Sequence, residues 1–183
     1  MESKETLVKK AKKGDGEAFV TLVKQYEDVL YRTASKLLNN DEDVADAMQE
    51  AIISAYEKLH TLKNGDYFNT WICKILINKC NTILNKKRKI TMINEDINTE
   101  IGADEYQKVE LEDALNSLNE SYRLSLILYY IIGLNIKEIS DFLKEPQGTV
   151  KSRLSRAKSI LRHNYYKSEG VLSYEEELRK RST

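Results

Sequence analysis

Apolar side chains recur at three- and four-residue steps along most of the 183-residue chain, and this period predicts a nearly all-helical protein. We predict two amphipathic helices over residues 3–13 and 15–38, separated at Gly14-Asp15-Gly16. Asn39-Asn40-Asp41 reads as a turn and helix cap. The buried stripe of the helix that follows is expected to hold Val44, Ala47, Met48, Ala51, Ile52, Ala55 and Leu59.

A loop over Leu62–Asn69 leads into a helix predicted from about Thr70 to Lys87, with Phe68 in the core. Its inward side is expected to carry Ile72, Ile75, Leu76 and Ile83. Its outward stripe, at helical spacing, is expected to carry Lys74, Asn78, Asn81 and Asn85, with Trp71 at the margin. Amides and lysines beside exposed aromatics suit a single strand of nucleic acid, because rings stack on bases and lysines bind phosphates.

Residues 90–108 have little periodicity and much acid, which predicts a flexible acidic linker between two small helical domains. We therefore divide the chain into domains 1–89 and 109–168, followed by a short tail, 169–183. In the second domain, a first helix is expected to end before Asn119. The next is predicted from Tyr122 to Ile132, with Leu126, Tyr129 and Tyr130 toward the core.

The segment after Gly133 has the form of a helix-turn-helix. Asn135 and Glu138 can form a capping box, and Ile136, Ile139, Phe142 and Leu143 supply the buried side of the first helix. Pro146, the only proline, suits the first turn of the second helix. One face of that helix is apolar, through Val150, Leu154, Ala157 and Leu161. The opposite, polar face carries Lys151, Ser152, Ser155 and Arg156.

Charge is strongly blocked along a chain whose net charge is +0. Asp41–Glu57 contains acids and no base, whereas Lys74–Lys89 contains bases and no acid. Between Asp141 and Lys167, seven Lys and Arg oppose two acids, a local charge of +5. Blocks of opposite sign predict separate surfaces for separate partners, and the local basic field favours phosphate binding by the second helix of the helix-turn-helix.

Several function classes are disfavoured by what the sequence lacks. No apolar run is long enough for a membrane span, and the N-terminus lacks the apolar core of a signal peptide, so we expect a cytoplasmic protein. Cys73 and Cys80 are expected to be reduced, half-buried thiols. No nucleotide, metalloprotease or hydrolase motif is present. We therefore predict no enzyme, no metal, no cofactor and no small-molecule substrate.

An isoleucine lies within an acidic stripe on the helix after Asp41. The stripe contains Asp46, Gln49, Glu50, Ile53 and Glu57. Exposed apolar residues ringed by polar ones often lie in partner interfaces, but a single exposed isoleucine is also common. The pattern alone favours neither interpretation.

With these elements placed, the chain resembles a bacterial RNA polymerase sigma factor of the extracytoplasmic function (ECF) type, in the sigma-70 family. The likeness covers nearly the whole length. In the first domain it rests on NNDEDVADAMQEAIISAYEKL and FNTWICKILINKC, followed by the basic KKRK. In the second it rests on LNSLNESYRLSLILYYIIGLNIKEISDFL and GTVKSRLSRAKSIL, and the last string is highly specific.

The resemblance implies an alternative sigma factor that binds core polymerase, recognises −35 and −10 promoter elements and promotes DNA melting in a stress response. The −35 contacts would be Thr149, Lys151, Ser152, Arg153, Ser155, Arg156 and Lys158. The −10 contacts would be Asn64, Asp66, Tyr67, Asn69, Trp71, Lys74, Asn78 and Lys79. Contacts to core polymerase would be Asp46, Gln49, Glu50 and Ile53.

The resemblance also implies the partners. These would be promoter DNA, the β′ clamp helices and β flap of core polymerase, and an anti-sigma factor anchored in the membrane. The competing interpretations are a polymerase-independent helix-turn-helix regulator and a helical adaptor that binds only proteins. The first would need a dimer interface, and the sequence shows no heptad seam for one. The second leaves the basic helix unexplained.

Overall fold

The computed structural model describes residues 2–38, 40–93 and 109–168, and within them all regular structure is helical, as predicted. The chain divides into two compact units. The helices of the first are α1 (Lys4–Lys12), α2 (Gly16–Lys24), α3 (Glu27–Ser35), α4 (Asp41–Lys58) and α5 (Phe68–Ile93). Two short 3₁₀ turns join α4 to α5, Leu59–Thr61 and Gly65–Tyr67. The helices of the second unit are α6 (Val109–Asn116), α7 (Glu120–Leu126), α8 (Ile136–Leu143) and α9 (Gln147–Ser168).

The single helix predicted over residues 15–38 is wrong, because the chain leaves the helical conformation between α2 and α3. Tyr26 has φ −116° and ψ 4°, and its ring lies 5.6 Å from that of Phe68. No glycine or proline marks this break, and apolar residues recur on both sides of it. The spacing of apolar residues along the sequence therefore does not indicate that the helix is interrupted at Tyr26.

Side-chain caps begin several helices as the sequence predicts. The Asn40 side chain accepts hydrogen bonds from the amides of Glu42 and Asp43 at the start of α4. α5 is longer than predicted: it begins at Phe68 and continues to Ile93, into the stretch expected to be linker. The linker prediction for residues 94–108 and the tail prediction for 169–183 lie outside the described residues.

The core of the first unit lies between α4 and α5, with α2 and α3 packed beside them. Its fully buried side chains include Leu22, Leu30, Ala47, Ala55, Phe68, Ile72 and Leu76. Met48, Ile52, Ile75 and Ile83, which were expected inside, are only half-buried. Conversely, Cys73 and Cys80 are fully buried rather than half-buried, and burial raises the pKa of each thiol to about 12. These thiols are therefore protonated core residues at neutral pH.

The prediction that Tyr129 and Tyr130 face the core is wrong: they are 37% and 59% exposed, whereas Ile127 and Leu128 are buried. A π-helical turn over Ile127–Ile131 follows α7 and replaces the continuous α-helix expected to Ile132. Because a π-turn closes its hydrogen bonds at i+5, it shifts the phase of the side chains. The shift directs the isoleucine-leucine pair inward and the tyrosines outward.

The helix-turn-helix is confirmed in α8 and α9. Asn135 and Glu138 form both hydrogen bonds of the capping box at the start of α8. Pro146 lies immediately before α9, and its carbonyl accepts from the Val150 amide at 3.1 Å. α9 packs against α6, α7 and α8 through Val150, Leu154 and Ala157, which are buried. Leu161, Ile136, Phe142 and Leu143 are half-buried at the edges of this core.

Candidate nucleic-acid interface

The exposed face of α9 carries four of the predicted −35 contacts. Lys151, Ser152, Ser155 and Arg156 are all exposed and lie opposite the buried stripe. Thr149 is also exposed at the start of this face, where its carbonyl accepts a hydrogen bond from the Ser152 hydroxyl at 3.0 Å. A lysine and an arginine flanking short hydroxyl side chains can reach base edges while the backbone comes close to DNA.

Arg153 differs from these four residues. Its side chain is only 17% exposed and forms an ion pair with Glu145, with 2.7 Å between Nη2 and Oε2. Glu145 precedes α9, so the pair joins the turn to the second helical turn of α9. Arg153 is therefore held within the motif, and the sequence pattern did not reveal its partner.

The turn between α8 and α9 is also fixed by hydrogen bonds that sequence reasoning missed. The Ser140 hydroxyl donates to the Glu145 carbonyl at 2.5 Å, and the Glu145 amide donates to the Ser140 carbonyl at 3.1 Å. Lys144, between them, has φ 57° and ψ 40°, a left-handed conformation that is uncommon outside glycine. These contacts set the angle at which α9 leaves the turn.

Lys158, a further predicted −35 contact, lies over two aromatic rings. Its Nζ is 5.4 Å from the ring centroid of Tyr129 and 5.1 Å from that of Tyr130. The pKa of the Lys158 ammonium is raised, first by a hydrogen bond to the Tyr130 side chain and then by the electrostatic interaction with that side chain. The lysine is exposed but held beside the π-helical turn by a cation–π contact.

In the first unit, the predicted −10 contacts divide between a loop and α5. In the loop, the Asn64 side chain accepts from the Asp66 amide at 2.9 Å and so caps the second 3₁₀ turn. Asp66 is exposed, and Tyr67 is 59% exposed. The next residue, Phe68, is fully buried, as predicted. The loop therefore presents a tyrosine ring from a turn anchored in the core.

On α5, Trp71 is half-buried with its ring 5.9 Å from that of Phe68, and Lys74 and Asn78 are exposed. Asn69 is half-buried and accepts a hydrogen bond from the Cys73 thiol at 3.5 Å. Lys79 forms an ion pair with Glu50 of α4 at 3.0 Å. The predicted −10 residues thus include exposed groups and groups already engaged in the fold.

The predicted polymerase-binding residues share the outer face of α4. Asp46, Gln49 and Glu50 are exposed, and Ile53 is 52% exposed. Three residues after Ile53 on α4, the Tyr56 ring packs on Phe19 with 5.1 Å between ring centroids. The face therefore combines polar groups with an accessible isoleucine.

The described residues contain no group of three or more His, Cys, Asp and Glu that could hold a metal ion. Among the described helices, none is both long and apolar enough to cross a membrane.

Two family matches correspond to the two units. Sigma-70 region 2 matches residues 22–90, which contain α4, the loop and most of α5. Sigma-70 region 4 matches residues 108–161, which contain the helix-turn-helix.

Proteins with similar sequences or folds align with most of the chain. The ECF RNA polymerase sigma factor SigW of Bacillus subtilis is 30% identical over 173 residues, covering 85% of this chain and 92% of its own. The RNA polymerase sigma factor SigV of the same organism is 30% identical over 146 residues, covering 78% and 88%. Among solved structures, the sigma factor RpoE from Bartonella quintana, in complex with the anti-sigma factor NepR, has a TM-score of 0.68 at 22% identity, covering 79% of this chain and 96% of its own.

Proposed function

The chain belongs to the ECF RNA polymerase sigma factors of the sigma-70 family, and on that premise we propose a promoter-binding role for each of its two units. As an alternative sigma factor, it binds core RNA polymerase and promoter DNA. The proposal assigns −35 recognition to the unit of residues 109–168 and −10 recognition and polymerase docking to residues 1–89. Residues 94–108 would act as the linker between them.

The exposed polar face of α9 is the observation that carries the −35 assignment. Lys151 and Arg156 project from the side opposite the buried stripe and are free to reach guanine O6 and N7 in the major groove. Ser152 and Ser155 lie between them and allow close approach. Thr149, Arg153 and Lys158 would contact phosphates. To bind Arg153, a phosphate would have to compete with Glu145. To bind Lys158, it would have to compete with the rings of Tyr129 and Tyr130.

The loop and α5 form the proposed −10 site. Tyr67 and Trp71 supply rings for an unstacked base, and Lys74 and Asn78 follow along the helix at its exposed surface. Melting a base pair costs a few kcal/mol, roughly, and stacking of the released base on aromatic rings returns energy of similar size. Asn64, Asp66, Asn69 and Lys79 complete the site by shaping the loop or contacting the strand.

We assign polymerase docking to the face of Asp46, Gln49, Glu50 and Ile53, against the β′ clamp helices. Ile53→Asp should weaken binding to core polymerase by about tenfold or more, because it places a charge where an apolar side chain would be buried in the interface. A pull-down with core polymerase measures this, with Lys58→Ala as control, an exposed residue of the same helix that lies outside this face. Equal retention of both variants would remove Ile53 from the interface.

Each unit alone is expected to bind DNA weakly, because each offers one short surface. Docking on polymerase, through the β′ clamp helices and the β flap, would hold both at a fixed separation and raise their effective concentration on one promoter. We also propose an anti-sigma partner, anchored in the membrane, and a cytoplasmic location for this chain. No catalytic role is proposed.

In vitro transcription tests the function directly. Purified chain and core polymerase on genomic fragments should produce transcripts with defined start sites, and core polymerase alone should not. Initiation that is lost with Arg156→Ala and Tyr67→Ala, but retained with Lys137→Ala on the exposed surface of α8, supports the assignment of both DNA sites. Binding of a promoter fragment by the chain alone, with no gain on adding polymerase, would instead favour a polymerase-independent regulator.

A further inference from the structure

The N-terminal helix α1 packs against the loop that carries the proposed −10 residues. It contacts both 3₁₀ turns between α4 and α5. The sigma-70 region 2 match begins at residue 22, so α1 lies outside it. Three residues of α1 that contact the loop, Lys4, Val8 and Lys12, follow one another at four-residue steps and therefore share one face of the helix.

Each of these three residues meets a different point of the loop. Lys12 Nζ donates a hydrogen bond to the Leu62 carbonyl at the loop's start. Lys4 Nζ donates to the Asp66 carbonyl near its end, at 3.0 Å. Lys4 and Lys12 are eight residues apart in one helix, which spans about 12 Å. The loop therefore runs alongside α1 in the opposite direction and is tied to it at both ends.

Between the two lysines, Val8 fills the space under the loop. It is 3% exposed, and a Cβ atom added to Gly65 would meet its side chain at 3.4–3.5 Å. These are ordinary van der Waals distances, so the loop backbone at Gly65 lies directly against the Val8 side chain of α1. Asn64 then holds the Asp66 amide, and Tyr67 projects into solvent.

We propose that α1 is a positioning element for −10 recognition: Lys4 and Lys12 bind the loop's carbonyls and hold Asn64, Asp66 and Tyr67 in the geometry that captures an unstacked base. The inference rests on the proposed function of the loop. Ordering a flexible loop on binding costs conformational entropy, so a loop ordered in advance captures the base more tightly. The neighbouring lysines pair with carboxylates rather than with loop carbonyls, Lys9 with Glu5 and Lys10 with Glu2.

The test compares lysine-to-methionine variants on one helix. Lys12→Met and Lys4→Met remove the donors while keeping similar chain length, and Lys10→Met is the control because it removes the same charge without touching the loop. Lys12→Arg keeps a donor and should restore function. Core-polymerase binding is measured for every variant, and we expect it to be unchanged.

The first readout is hydrogen exchange in the full chain. The amides of Leu62, Asp66 and Tyr67 are hydrogen-bonded within the loop segment, so their exchange reports loop opening. Exchange should accelerate about fivefold in Lys12→Met, less in Lys4→Met, and not in Lys10→Met, in keeping with the loss of one charge-assisted hydrogen bond. Equal exchange in Lys12→Met and Lys10→Met would overturn the proposal.

The second readout is promoter melting with core polymerase, followed by permanganate reactivity of unpaired thymines. The Lys4→Met/Lys12→Met double variant should form open complexes about tenfold less well, with Lys10→Met unchanged. The Tyr67→Ala variant distinguishes a failure of the −10 assignment of the loop from a failure of the positioning role of α1. If Tyr67→Ala melts DNA normally, the −10 assignment of the loop fails. If Tyr67→Ala is defective while the double variant is normal, only the positioning role of α1 fails.

Discussion

The basic helix α5 of the first unit and the basic helix α9 of the second present their charge differently. α5 packs against α4, the most acidic helix of the first unit, and at two points the charges meet: Lys79 pairs with Glu50, and Lys87 pairs with Asp43. α9 packs on α6, α7 and α8 through apolar side chains. Lys151 and Arg156 remain exposed on its outer face.

This difference limits what charge blocks along a sequence can predict. The blocks in Asp41–Glu57 and Lys74–Lys89 suggested separate surfaces for separate partners, but the structure brings their edges together across one helix pair. Among the described residues of the second unit, no acidic helix packs against the outer face of α9, and Glu145 pairs with Arg153. A charge block predicts a binding face only where folding leaves it without a facing block of opposite sign.

The largest expected effect lies beneath the charged helix pair of the first unit. Phe68→Ala removes a fully buried ring that contacts Tyr26 and Trp71, so it should cost about 3–5 kcal/mol of unfolding free energy. Tyr67→Ala, at an exposed ring next in sequence, should stay within about 0.5 kcal/mol of the parent. Trp71 is the only tryptophan, so urea unfolding followed by its fluorescence reports this unit. Similar midpoints for both variants would contradict the packing.

Local chemistry made some of the fold predictable. The Asn40 cap, the Asn135–Glu138 capping box and the apolar stripe of α9 each depend on residues within a few positions of one another. The exposed face that the stripe leaves on α9 follows from the helical period alone. These were predicted correctly because the sequence contains both partners of each interaction at short range.

Long-range packing decided what the sequence did not reveal. The break at Tyr26 accompanies a ring contact with Phe68, far away in sequence, and the π-turn at Ile127–Ile131 reverses the side on which Tyr129 and Tyr130 lie. The ion pair of Arg153 and the lysine contacts of α1 with the loop also need tertiary structure to be seen. Periodicity identifies a helix face, but it does not identify the partner of that face.

A smaller effect sharpens the contrast within α9 itself. Arg156→Ala should cost about 1–3 kcal/mol in promoter discrimination, because under the proposed function this exposed arginine reads a base directly. Holoenzyme binding to the mapped promoter and to DNA with a scrambled −35 element measures it. Equal loss on both DNAs would reassign Arg156 to phosphate contact.

Arg153→Ala should act chiefly on stability, by about 1 kcal/mol, since its partly buried ion pair joins the turn to α9. Hydrogen exchange of the α8 and α9 amides measures the stability of the second unit. A double-mutant cycle with Glu145→Ala isolates the pair, because the second substitution should add little once the first is made. Full additivity would show that the pair contributes nothing to the turn.

The smallest effect concerns the pair that joins the two charge blocks. Glu50 and Lys79 have side chains that are 63% and 30% exposed, so their coupling should be below about 1 kcal/mol and should fade in high salt. A Glu50→Gln/Lys79→Gln cycle followed by Trp71 fluorescence measures it. Weak coupling is what the proposed function requires, because Glu50 must be able to turn to polymerase and Lys79 to DNA at little cost. A coupling above about 2 kcal/mol would mean that the pair belongs to the fold, and neither residue would then be available to a partner.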